Sequence, residues 1–103
     1  MKRLDITVPD MNDSYSRLVI DGRAYLIRFT WNERSKRWSF GLYSIHKEPI
    51  AVGIRLVPRF PLNIQLVGDE LPSGIFGVYS SLQSVGRDDF NNGRAAFSYI
   101  SAG

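Results

Sequence analysis

Among 103 residues there is no cysteine and a single histidine. The missing thiols exclude disulfides, thiolate ligation of zinc or iron–sulfur clusters, and a cysteine nucleophile. One imidazole leaves no multi-histidine metal site. No run of apolar residues reaches the length of a membrane-spanning helix, because Gly, Ser, Asn or Pro interrupt every uncharged stretch. Met1-Lys2-Arg3 is followed by Leu4-Asp5-Ile6-Thr7, not by the apolar core of a signal peptide, so a soluble chain made in the cytosol is expected. No window of ten or more residues shows a 3.6-residue apolar period, which speaks against helices. The charge balance is only +3, with nine cations and six anions in residues 1–52 and four of each in 53–103. That is ordinary surface charge, not the dense basic stripe of a nucleic-acid binder.

Period-two alternation is what the chain does have. Tyr15–Ile20 is β-rich, Asp21-Gly22 follows it, and Arg23–Trp31 returns with Tyr25, Ile27, Phe29 and Trp31 on one face. Asp-Gly between two such runs is the strongest short hairpin signal, here spanning residues 15–31. After the polar stretch 32–37, Trp38, Phe40 and Leu42 alternate in a third strand. His46-Lys47-Glu48-Pro49 reads as a turn, and Ile50, Val52, Ile54 and Leu56 alternate in a fourth. Residues 15–57 thus form an antiparallel meander whose core is Leu18, Ile20, Tyr25, Ile27, Phe29, Trp31, Trp38, Phe40, Leu42, Val52, Ile54 and Leu56.

The second half is more broken. Pro58, Pro61 and Pro72 punctuate it, and Gly68-Asp69-Glu70 and Pro72-Ser73-Gly74 are turn clusters. Leu62–Val67, Ile75–Ser80 and Arg94–Ser101 read as strands, Ser84–Gly93 as a polar loop anchored by Phe90 alone, and Lys2–Val8 as a further strand. The expected fold is all-β, a small single-domain antiparallel barrel or sandwich of about seven or eight short strands. Residues 1–14 form an N-terminal arm, with one strand at most and suited to ordering on assembly, and 15–103 the β-domain.

Catalytic constellations do not emerge. His46 stands in a turn with no partner to hold it as a general base, and there is no G-x-S-x-G. Asp69-Glu70 and Asp88-Asp89 are adjacent pairs, which point to opposite faces of a strand. Asp88–Gly93 is off the calcium-loop spacing and reads as turn chemistry. Gly41 and Gly53 inside strands indicate bulges or tight curvature, not phosphate binding. One cluster could bind: Arg34, Lys36 and Arg37 between Trp31 and Trp38, where cations would follow phosphates and indoles would stack on bases. The plainer reading is a charged hairpin tip with both tryptophans in phase with the apolar faces of their strands.

Leu18–Asn32, Trp38–Leu42, Val52–Val57 and Pro61-Leu62, continued by Gly86–Phe90 and Phe97-Ser98-Tyr99, resemble in order and spacing the small baseplate plug proteins of contractile-tailed bacteriophages. The resemblance spans about residues 15–100. It departs at His46–Pro49, where such proteins often carry a second Asp-Gly. It implies a structural virion protein without cofactor, metal site or enzymatic activity, placed in the tail baseplate and made in the host cytoplasm. Its implied partners are hub, tail-tube and wedge-type subunits, in a multi-copy ring, with neither membrane nor nucleic acid. The exposed loops make Arg34, Lys36, Arg37, Arg87, Asp88 and Asp89 the candidate interaction surface. The competing function is a small β-barrel that binds single-stranded nucleic acid through Trp31, Arg34, Lys36, Arg37 and Trp38. A hydrolase centred on His46 is the weakest alternative.

Overall fold

The structure, a computed structural model, describes residues 3–20, 22–58, 61–62 and 74–100. Its described residues form eight strands in two four-stranded sheets facing each other as a sandwich. One sheet is the expected meander of β2 (Asp13–Ile20), β3 (Arg23–Asn32), β4 (Arg37–Tyr43) and β5 (Pro49–Arg55), each strand beside the next in sequence. The other is ordered β1 (Arg3–Ile6), β8 (Ala95–Ile100), β7 (Ile75–Ser80), β6 (Pro61–Leu62).

The hairpin pairs Asp13 with Thr30 through to Ile20 with Arg23, so its register extends two residues beyond the expected start. Gly22 is left-handed (φ 81°); Asp21, the other half of the turn signal, lies outside the described residues. The strand expected at Leu62–Val67 and the turn clusters at 68–73 fall largely outside them too.

Alternation packs the two inner faces into one aromatic layer. Phe29 and Phe40 from the meander meet Phe97 at ring distances of 5.6 and 5.1 Å, and Phe40 meets Phe76 at 5.2 Å. Phe76 stacks on Phe97 and touches Tyr99 within its own sheet. Ile20, Tyr25, Ile27, Phe29, Trp31, Trp38, Phe40, Leu42 and Leu56 are buried, with Leu18 and Ile54 packed against them at partial exposure.

Val52 departs from the expected core and is 54% exposed. The cause is a bulge. Phe40 faces Ile54 and Leu42 faces Ala51, so two steps along β4 match three along β5. Gly53 absorbs the extra residue at φ 72°, a backbone region that side chains with a Cβ disfavour. The slip turns Ala51 inward and Val52 outward, and a strict two-residue count cannot register it. Pro49, read as part of a turn, instead opens β5 opposite Tyr43, a position that needs no ladder N–H.

Residues from the 1–14 segment enter both sheets. β1 pairs with β8, from Arg3 opposite Ile100 to Ile6 opposite Phe97, while Ile6 and Val8 join the core and Asp13 opens β2. On the outer side of that sheet Ser98 is fully buried and donates to the Asp5 carboxylate at 2.7 Å. Arg3 donates to the same carboxylate at 2.8 Å and spreads over the Tyr79 ring.

Candidate functional site

Five of the six candidate interaction residues lie in two loops that the Trp31–Trp38 pair connects, and Arg37 opens β4 at the end of the first loop. These indoles are register partners on β3 and β4, with ring centres 5.5 Å apart. The β3–β4 turn closes on itself: the Asn32 side-chain oxygen accepts from the backbone N–H of Arg34 and of Ser35, each at 3.0 Å. Glu33 accepts from the Lys36 ammonium and from the Trp31 indole N–H at 2.6 Å. Those two donors, in that order, hold its carboxyl below the usual carboxylate range, and Arg87 adds a weaker attraction.

From the other side the 81–94 loop folds onto Trp38. The Trp38 indole N–H donates to the Gly86 carbonyl at 3.2 Å, the Arg87 guanidinium lies 5.3 Å from its ring centre, and Phe90 meets its edge. Arg87 also donates to the Asn12 side chain at 2.6 Å and pairs with Asp10 at 3.0 Å, fastening the loop to the segment that leads into β2. Asp89 accepts from the Gly86 N–H at 2.6 Å, and its carbonyl accepts from the N–H groups of Arg94 and Ala95. Val85, only 5% exposed, is buried more deeply than Phe90, so the loop has two apolar anchors where the sequence indicated one.

These contacts divide the candidates. Arg87 and Asp89 hold the loop together, Lys36 is engaged by Glu33, and Asp88 stays largely exposed with a long 3.8 Å contact to Arg87. Arg34 and Arg37 are exposed and make no ion pair among the described residues. Trp31 and Trp38 are 8% and 1% exposed, so neither offers a ring face on which a base could stack. His46 is exposed in its turn, where its backbone N–H donates to the Ser44 hydroxyl. Among the described residues no three His, Asp or Glu side chains come together as a metal site.

Arg55 completes a feature the sequence reading missed. Side chains at 37 and 39 share the outer face of β4, and Ser39 is opposite Arg55 in the register, so Arg37 and Arg55 sit on one face of neighbouring strands. Between them and residues 83–85 opens a cleft of about 190 Å³ with Lys36 on its rim and Leu56, Pro58 and Val85 beneath. A plain count across the turn does not give this neighbourhood, because the register that sets Ser39 opposite Arg55 passes through the β5 bulge.

A comparison with protein families matches residues 1–102 to the family described as cyanophage baseplate Pam3 plug gp18. Among curated proteins no match is found. The matched stretch takes in every element described above, from β1 through the meander and the 81–94 loop to β8. The chain therefore belongs to the family of cyanophage baseplate plugs.

Proposed function

We propose that the protein is a non-enzymatic structural part of a phage tail baseplate, acting as a central plug or adaptor by protein–protein contact. The observation that carries this reading is the family match over residues 1–102. In it the protein is made in the host cytoplasm and assembles as several copies in a ring, touching hub, tail tube and wedge-type subunits. A closed ring requires that each copy present two different complementary surfaces. The sandwich supplies distinct ones: two outer sheet faces, the edges of β1, β2 and β5 that have no partner strand among the described residues, and the Trp-braced loop end. Residues 3–14 are stitched in through β1 and the start of β2, so the β-domain works as one rigid piece and carries its contacts on exposed side chains.

Nucleic-acid binding through the hairpin tip finds less support, because it needs aromatic faces that Trp31 and Trp38 keep inside the fold. The test is electron microscopy of purified tails combined with cross-linking mass spectrometry. The chain is expected at the baseplate centre, cross-linked to hub and tube subunits. Tails assembled without it, or cross-links confined to other regions of the particle, would overturn the reading.

A further inference from the structure

We propose that the cleft rimmed by Lys36, Arg37 and Arg55 is the docking site for an extended acidic segment of a neighbouring baseplate protein, anchored by an apolar side chain. The inference rests on the baseplate reading above and names the chemistry of one partner within it.

Three observations combine. The first is uncompensated charge. Arg37 and Arg55 come from adjacent strands, lie on the same face and have no ion pair among the described residues. Like charges at diagonal positions on one face of neighbouring strands oppose each other, and an anion between them removes that cost. Elsewhere this chain does supply such anions: Asp5 meets Arg3, Asp13 meets Arg28 with two hydrogen bonds, Glu33 meets Lys36 and Asp10 meets Arg87. Arg37 and Arg55, like Arg34, have no such anion among the described residues; what distinguishes them is that both border one cleft.

The second is shape. The cations stand around a concavity and not on a flat face, and its volume of about 190 Å³ leaves room for a side chain. The third is the floor. Leu56 and Val85 are each 5% exposed and Pro58 is buried, so an apolar group entering the cleft meets a packed apolar surface while its acidic neighbours reach the rim. Guanidinium groups present forked donors that match a carboxylate with two parallel hydrogen bonds, which favours aspartate or glutamate over a neutral partner. Phosphates of a nucleic acid offer the same charge, but among the described residues the site has no exposed ring for the bases, and its floor favours an aliphatic or aromatic side chain. A second copy of this chain brings a net charge of +3 towards a cationic rim, which disfavours self-docking.

The test uses the full chain and a fluorescent, end-blocked peptide of alternating aspartate and leucine, about six residues long as in an ordinary strand. Anisotropy is read at about 50 mM salt, where exposed charges are weakly screened, with an oligothymidylate and an alternating lysine–leucine peptide as parallel probes. Wild type is expected to bind the acidic peptide. Arg37→Glu with Arg55→Glu is expected to weaken binding by about tenfold or more and to gain affinity for the lysine–leucine peptide. Both residues are exposed, so an unchanged circular dichroism spectrum and melting point should accompany the loss.

No binding of the acidic peptide, equal binding by the double variant, or tighter binding of the oligothymidylate would each overturn the proposal. Incorporation of wild type and double variant into tails separates this from the broader reading. Equal incorporation of both sinks the cleft and leaves the baseplate role standing, whereas absence of wild type from tails removes both.

Discussion

The two sheets contain four strands each, yet they are built from different kinds of contact. In the meander every strand pairs with its neighbour in sequence across a short turn, and its side chains alternate regularly until the β5 bulge. The opposite sheet joins β1 to β8 across almost the whole chain, as in the Asp5–Ser98 hydrogen bond that spans 93 positions. Closing so long a loop costs chain entropy before any pairing compensates it. The meander can thus form from local contacts, while the second sheet depends on an inner face already in place for Phe76, Phe97 and Tyr99 to cover.

The strongest way to break that comparison is to remove the rings where the sheets meet. Phe40→Ala, which loses contacts to both Phe76 and Phe97, should cost about 3–5 kcal/mol in denaturant unfolding and loosen the second sheet along with the first. A loss below about 1 kcal/mol would mean the sheets do not depend on one another through this layer. Ser98→Ala acts on the second sheet alone, removing the buried hydroxyl under Asp5. About 1 kcal/mol is expected, with faster amide exchange in β1 and little change in β2–β4.

Gly53→Ala sharpens the comparison from the meander side. Space is not the obstacle, since nothing lies within 4 Å of the added methyl, so the expected loss of about 1 kcal/mol comes from φ 72° alone. An unchanged melting temperature would show that the bulge relaxes at no cost. The smallest effect is electrostatic. Hydrogen bonds from Ser98 and then Arg3 lower the Asp5 pKa, one from Arg28 lowers that of Asp13, and those from Lys36 and Trp31 lower that of Glu33. A carboxyl depressed in the folded state stabilises the fold fully above its unfolded pKa, about 4, and that contribution is lost as pH falls through the folded value. Melting temperatures should therefore be insensitive to these groups from pH 5 to 7 and fall below about 4, less steeply in Asp13→Asn.

The sheets also differ in how openly the sequence declares them. Trp31, Trp38, Phe40 and Leu42 could be placed inward from period two alone, because the turns between their strands are short and the faces clean. Val52 escaped because the extra residue at the bulge shifts the alternation along β5; Gly53 marked an irregularity there, but not which neighbours it would turn inward. Pairing of Arg3–Ile6 with the far end of the chain leaves no local trace at all. The candidate site divides in the same way. Arg34, Lys36 and Arg37 were visible as a charged tip, but Arg87 and Asp89 looked like surface charges until Trp38, Asn12 and the Gly86 N–H were seen to engage them. Arg55 became relevant only when the register laid it beside Arg37.

The pairing of Arg3 with Ile100 has a mechanical consequence. Chain leaving β1 backwards and chain leaving β8 forwards depart from the same end of one antiparallel pair. A force that pulls these two points apart runs across the strands and opens the ladder one rung at a time, with no rungs sharing the load. Pushed on its faces, the sandwich resists with its whole packed layer; drawn by those two ends, it opens like a zip.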